Sequence, residues 1–158
     1  KEVLSTIRLM GAKVETRKAS IKITPPKAIR PIQVQTNPFP KFPTDLQAQL
    51  MAVLIFAKGV SKIQENVFPN RFIHVAELRK LGANITIKEN AAKIIGVNGL
   101  AGAKIQASDL RASAGLILSA LSSKGKTEIF RIYHLDRGYE RIDDKLKLIE
   151  AKIWREKE

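Results

Sequence analysis

Cysteine is absent from this sequence, which removes disulfides and every Cys-based metal site. Histidine occurs twice, at His74 and His134, too few for a His-rich metal centre. No metal ion and no cofactor is therefore expected. Aromatic residues number nine, and they do not interleave with the basic residues as a base-stacking platform would require. The longest apolar run, Leu50–Ala57, falls far short of the roughly 18–20 residues that span a bilayer, so no membrane partner is expected. No signal peptide is visible. The chain starts at Lys1, inside a stretch that reads as a helix, and not at Met; the expectation is a fragment.

Acidic residues are also scarce. Fifteen Asp and Glu face twenty-eight Lys and Arg, a net charge of +13 in 158 residues. Such a field attracts anions: phosphorylated metabolites, nucleic acid or anionic membranes. The lysines are scattered, and the one dense run (Lys145, Lys147, Lys152, Arg155 and Lys157) lies near the end. That distribution speaks against a dedicated nucleic-acid face. A hydrophobic fraction of 44% and a charged fraction of 27% are those of a folded domain with a real core.

One segment occurs three times: Ile7–Val14, Leu78–Ile85 and Leu146–Ile153. Each reads as the last turn of an amphipathic helix, a stop, and the start of a strand. The stops at Gly11 and Gly82 are 71 positions apart, and both suit the left-handed position that ends a helix. Glu150 stands at that position in the third copy, at a cost of about 1 kcal/mol or a different cap. A second element repeats at a separation of 64: Thr44-Asp45-Leu46-Gln47-Ala48 and Ser108-Asp109-Leu110-Arg111-Ala112. Thr44 and Ser108 read as N-caps, with Asp45 and Asp109 in the first turn where the helix dipole favours a carboxylate. Apolar helices are predicted over Leu46–Ala57 and Leu110–Leu121, each stopping at Lys-Gly. Strands are predicted over Val60–Gln64 and Thr127–Ile132, followed by Arg-containing loops at Asn70-Arg71-Phe72 and Asp136-Arg137-Gly138. Further strands are expected at Ala91–Val97 and Lys104–Ala107. Six of the seven prolines fall in Thr24–Pro43, a loop with one extended piece at Ile32–Thr36. The architecture is α/β: one partial domain over 1–158, with the tail of one repeat at 1–24 and two further repeats at about 32–97 and 104–155.

Three stretches are far more specific. They are Phe42-Pro43-Thr44-Asp45-Leu46-Gln47-Ala48-Gln49; Asn70-Arg71-Phe72-Ile73-His74-Val75; and Asp109-Leu110-Arg111-Ala112-Ser113-Ala114 with the following Arg131-Ile132-Tyr133-His134-Leu135-Asp136-Arg137-Gly138-Tyr139-Glu140-Arg141. In this order and spacing they resemble the UDP-N-acetylglucosamine 1-carboxyvinyltransferase (UDP-N-acetylglucosamine enolpyruvyl transferase) family, over essentially the whole chain. The resemblance implies a C-terminal part of a fold of repeated α/β units, the inside-out α/β barrel of enolpyruvyl transferases. It also implies bacterial, cytoplasmic chemistry: transfer of the enolpyruvyl group of phosphoenolpyruvate to the 3-hydroxyl of UDP-N-acetylglucosamine, the first committed step of peptidoglycan synthesis. The family's cysteine-bearing loop and phosphoenolpyruvate-binding lysine belong to an N-terminal half that this sequence lacks. That half is the expected partner, and the chain alone is expected to be inactive.

Carried over residue by residue, the resemblance makes Asp45 the base at the sugar hydroxyl, with a helix-dipole partner as the structural alternative. Arg71 and Arg137 become ligands of phosphoenolpyruvate or its phosphate, since guanidinium forks match both anions; the alternative is a solvated loop charge. Asp109 would sit near the reacting methylene carbon and Arg111 would hold neighbouring carboxylates, or the two would form a helix-terminal ion pair. Val67 and Phe68 match the apolar segment beside the UDP-sugar, or simply pack. Pro69 departs from the family's usual Glu. His74 and His134 read as packing groups, and Trp154 as packing at the end of the last strand. The competing readings are the sister 3-phosphoshikimate 1-carboxyvinyltransferase family, a non-catalytic fragment, and a basic nucleic-acid-binding domain.

Overall fold

The computed structural model describes residues 1–156. Helix α1 (Glu2–Leu9) leads into a hairpin of β1 (Lys13–Thr16) and β2 (Ile21–Thr24). Strand β3 (Gln33–Thr36), a 3-10 turn at Thr44–Leu46, helix α2 (Gln47–Leu54) and strand β4 (Val60–Glu65) form a β–α–β unit, because β3 and β4 pair in parallel. Helix α3 (Val75–Lys80) and the strands β5 (Asn84–Lys88) and β6 (Ala91–Ile95) complete a mixed sheet in the order β3-β4-β6-β5.

The second unit repeats this plan in shorter form. The short strand β7 (Leu100–Ala101) comes first, then β8 (Lys104–Gln106), α4 (Leu110–Leu121), β9 (Ser123–Lys124) and β10 (Glu128–Phe130). Strand β10 pairs in parallel with β8, and β9 in parallel with β7. Helices α5 (Tyr133–Asp136) and α6 (Ile142–Lys147) follow.

The helices form the centre. Helix α2 buries Gln47, Ala48, Leu50, Met51, Ala52 and Leu54, which is nearly its whole circumference; a helix apolar all round belongs in a core. Helix α4 buries the unbroken stretch Ala112–Ile117. The two pack on each other so closely that a Cβ on Gly115 would lie 2.8 Å from the Ala48 carbonyl oxygen. Alternate residues of the sheet (Ile63, Ile85, Ala92 and Ile94) close the core from one side.

The repeated stop is a Schellman cap. Gly11 N–H donates to Arg8 O and Ala12 N–H to Ile7 O; Gly82 and Ala83 repeat both bonds to Arg79 and Leu78. Glu150 and Ala151 repeat them again, to Lys147 and Leu146, so the third copy keeps the cap with Glu150 at φ 66°. The strand expected after it does not form: Ala151–Glu156 has no regular structure. Strands β1 and β5 each pair with the strand that follows, and residues 151–156 pair with none among the described residues. Trp154 accordingly does not pack; it is 57% exposed, and its Nε1 donates to Glu156.

Two caps also differ from expectation. Asp109, not Ser108, caps α4, because it directly precedes the first helical residue and its extended backbone lets Oδ1 accept from the Arg111 and Ala112 N–H groups. Thr44 caps nothing; its hydroxyl is engaged elsewhere, and a 3-10 turn precedes α2. The predicted strands Thr127–Ile132 and Ala91–Val97 are trimmed to Glu128–Phe130 and Ala91–Ile95.

Glu150→Gly should stabilise the chain by about 1 kcal/mol by relieving the left-handed strain, and Gly82→Ala should destabilise it by a similar amount. Urea midpoints of the two variants measure both, and equal midpoints would show that the third cap carries no strain.

Candidate active site

Asp45, Arg71 and Arg111 converge, although they come from three separate segments. Asp45 lies in the 3-10 turn ahead of α2, Arg71 in the loop between β4 and α3, and Arg111 in the first turn of α4. Asp45 Oδ1 is 3.1 Å from Arg71 Nη1 and 2.5 Å from Arg111 Nε. Two guanidinium groups on one carboxylate leave the cluster with a net positive charge. Asp45 Oδ2 makes no hydrogen bond among the described residues. The α2–α4 packing explains the convergence, since it brings the N-terminal ends of both helices together.

The loop carrying Arg71 is a built turn. Arg71 N–H donates to Phe68 O at 3.0 Å, which puts Pro69 at the second position of a β-turn, where its fixed φ fits. The departure at Pro69 therefore preserves the presentation of Arg71. The guanidinium stacks 4.5 Å above the half-exposed Phe68 ring. Val67 is half-buried beside it.

Glu65 is the residue that sequence reasoning missed. Its carboxylate is fully buried and accepts four hydrogen bonds: Thr36 Oγ1 at 2.6 Å, Thr44 Oγ1 at 2.9 Å, Val67 N at 2.9 Å and Phe68 N at 3.0 Å. The β3–β4 register, which sets Thr36 opposite Glu65, makes the first of these possible. The signal was present in the strand: Ser61, Ile63 and Glu65 share the buried face of β4, and an acid at a core-facing position calls for partners.

Asp109 is placed as a cap. Oδ1 is spent on the two backbone N–H groups and Oδ2 accepts from Ser108 Oγ. Arg111 thus touches both repeat-related acids, Asp109 through its backbone N–H and Asp45 through its side chain. Arg137 follows α5, and its exposed side chain makes no hydrogen bond or ion pair among the described residues. The structure does not join it to the Asp45 cluster by any direct contact. Its loop is nonetheless tied to the same helix ends. A Cβ on Gly138 would lie 2.8 Å from Leu110 Cδ2, and Gln49 Nε2 donates to the Tyr139 hydroxyl at 3.4 Å.

Arg155 holds that loop from the other side. Its guanidinium forks onto Asp136 at 2.6 and 2.9 Å and reaches Asp143 at 2.8 Å, holding both carboxyls below the usual carboxylate range. Asp136 is thereby satisfied without drawing on its neighbour Arg137. Depressions lined by Ile32–Gln35 with Phe42, and by Phe56–Gly59 with Gly96–Asn98, contain none of the seven candidate residues. The Asp45 cluster sits on an open surface, as one wall of a site would.

His74 is buried beneath this surface. Burial lowers its pKa to about 4, and the Asp109 carboxylate raises it only in part; Nε2 has no hydrogen-bond partner among the described residues. No helix of the described residues is long and apolar enough to cross a membrane, and none of them form a group of three His, Asp or Glu able to hold a metal ion.

Two β–α–β units with their helices packed inward define an enolpyruvyl transferase fold. The crystal structure of the enolpyruvyl transferase NikO from Streptomyces tendae superposes with a TM-score of 0.87 at 28% identity, over 96% of this chain and 35% of that one. The chain belongs to the EPSP synthase (3-phosphoshikimate 1-carboxyvinyltransferase) family, which matches residues 1–146. Within it, the UDP-N-acetylglucosamine 1-carboxyvinyltransferases of a Nitratiruptor species and an Anaeromyxobacter species are 47% and 50% identical over 97% and 98% of the chain. The chain spans 36–37% of the length of these relatives. An EPSP synthase from Acinetobacter baumannii shares the fold at 18% identity, with a TM-score of 0.58 over 81% of this chain and 31% of that one.

A pH titration tests the buried imidazole. His74 lies below its ordinary pKa in the folded chain, so the unfolded chain takes up a proton first. Stability falls as pH drops from about 6.5 to about 4, by up to about 3 kcal/mol from this group. His74→Phe should lose that part of the slope, read from urea midpoints at pH 7.5 and 4.5. A variant with the slope of the parent would assign the loss to other groups.

Proposed function

We propose that this chain is one wall of the active site of a UDP-N-acetylglucosamine enolpyruvyl transferase. The convergence of Asp45, Arg71 and Arg111 carries the reading, in a chain 47–50% identical to curated enzymes of that name. Residues 1–158 form part of one domain, with the tail of one repeat at 1–24 and repeats at about 32–97 and 104–155. The partners are phosphoenolpyruvate, UDP-N-acetylglucosamine and the remaining portion of the enzyme. The setting is bacterial cytoplasm and peptidoglycan synthesis, without nucleic acid, membrane or cofactor.

In the proposed reaction the sugar 3-hydroxyl oxygen adds to C2 of phosphoenolpyruvate and a proton goes to C3; the tetrahedral adduct then loses phosphate from C2 together with a proton from C3, which restores the double bond. Asp45 takes the hydroxyl proton through Oδ2, while Oδ1 stays fixed by the two arginines. Arg71 and Arg137 bind the phosphate or carboxylate of phosphoenolpyruvate, where guanidinium forks neutralise charge as it develops. Asp109 holds the N-terminus of α4 against the reacting carbon, and Arg111 links that cap to Asp45. Val67 and the exposed Phe68 ring line the sugar side. The acid that protonates C3 comes from the remaining portion, where the resemblance places a cysteine. A 3-phosphoshikimate acceptor is less supported, given the 47–50% identity to curated UDP-N-acetylglucosamine 1-carboxyvinyltransferases.

The purified 158-residue chain should release no phosphate from phosphoenolpyruvate with UDP-N-acetylglucosamine. Assembled with the remaining portion of the enzyme it should turn over, and Asp45→Ala should then lower kcat by about 100-fold or more. Near-normal turnover in that variant would remove Asp45 as the base.

A further inference from the structure

The hydrogen bonds behind the Asp45 cluster run in one direction only. Thr44 Oγ1 accepts from Arg71 Nη1 at 2.8 Å, so its single proton goes to Glu65 Oε2 at 2.9 Å. Thr36 Oγ1 accepts from Asn66 N–H at 3.1 Å, so its proton goes to Glu65 Oε1. With the Val67 and Phe68 N–H groups, all four neighbours of Glu65 are donors. Burying a carboxylate among neutral groups is unfavourable unless it is well hydrogen-bonded, and here Oε1 takes three donors and Oε2 one. The same carboxylate fixes the backbone under the Phe68 ring, on which the guanidinium stacks. Arg71 is therefore fixed from below by Phe68, from behind by Thr44, and from the side by Asp45 at 3.1 Å.

We propose that Glu65 and Thr44 are a positioning pair for Arg71: the buried carboxylate orients the Thr44 hydroxyl as an acceptor, and that acceptor sets the guanidinium that grips the anionic substrate. The inference rests on the reading of Arg71 as an anion-binding residue. Glutamine at position 65 would break the relay without changing its shape. Its carbonyl oxygen can serve the three donors around Oε1, but its NH2 group then faces Thr44 and reverses the hydroxyl. Valine at position 44 keeps the branched shape and removes the acceptor, whereas serine keeps it.

The test uses the assembled enzyme. Thr44→Val and Glu65→Gln should raise KM for phosphoenolpyruvate by about tenfold to a hundredfold, the scale of one hydrogen bond to a charged group, with KM for the UDP-sugar little changed. Thr44→Ser should stay within about twofold of the parent, the rescue that a merely structural role of the side chain would not give. An unchanged KM in Thr44→Val where Arg71→Ala raises it, or a Thr44→Ser as impaired as Thr44→Val, would overturn the proposal, and Thr44→Val keeps it testable if Glu65→Gln fails to fold. The 15N guanidinium resonance of Arg71, assigned by its loss in Arg71→Lys, separates the two readings. Its slowly exchanging protons should survive in Thr44→Ser and vanish in Thr44→Val. If they vanish while Arg71→Ala itself leaves KM unchanged, the positioning pair stands and the substrate role of Arg71 falls. If they persist in Thr44→Val, the pair is overturned.

Discussion

The contact between helices α2 and α4 sets the rest of the structure. Gly115 lets the Ala48 carbonyl approach where no side chain would fit. That approach aligns the starts of two helices from successive units, and each start carries a short acidic motif. The sheets lie outside and give the helices their spacing; the helices give the site its geometry. This keeps the rule of α/β proteins that chemistry gathers beyond the carboxyl ends of parallel strands. Here the termini of central helices and the loops that follow parallel strands present it.

A second constraint is electrostatic. The chain carries a large positive excess, yet its arginines are not used alike. Arg155 is consumed in a three-bond clamp on Asp136 and Asp143, and Arg79 donates twice to the Ile85 carbonyl. Arg71 and Arg111 share a single carboxylate oxygen, which orders them without neutralising them. Order with residual charge is what the proposed anion-binding role requires, because a preorganised guanidinium does not have to reorganise when its ligand arrives.

Much of this was legible in the sequence, for identifiable reasons. The extent of helix α4 was readable to the residue from its long small-and-apolar run over Leu110–Leu121, although its cap is Asp109 and not the expected Ser108. The stops at Gly11 and Gly82 were readable because only glycine adopts φ near 99° without strain. Asp45, Arg71 and Arg111 were singled out through motif resemblance, and nothing in local periodicity would have joined them. What escaped was set by tertiary context. Thr44 has the chemistry of a cap, but a buried acid and an arginine compete for its hydroxyl and win. Glu65 could be recognised as an anchor only once the β3–β4 register was known. The strand after Glu150 has strand-like composition, but a strand exists only with a partner. The Arg155 clamp joins residues 12 and 19 positions apart and leaves no periodic trace.

Pro69 has an effect beyond the turn it rigidifies. The resembling family usually places a glutamate there, two positions before the arginine that the turn presents. With proline in that place the wall has one anion fewer, and nothing in the Phe68–Arg71 turn replaces it. On the proposed reading of Arg71 the local potential is correspondingly more positive, so an approaching anion would be drawn in faster at low ionic strength and would lose more of that advantage as salt is added. A residue that looks purely conformational would, on that reading, also reset how strongly the proposed chemistry of this wall responds to the ionic composition of its surroundings.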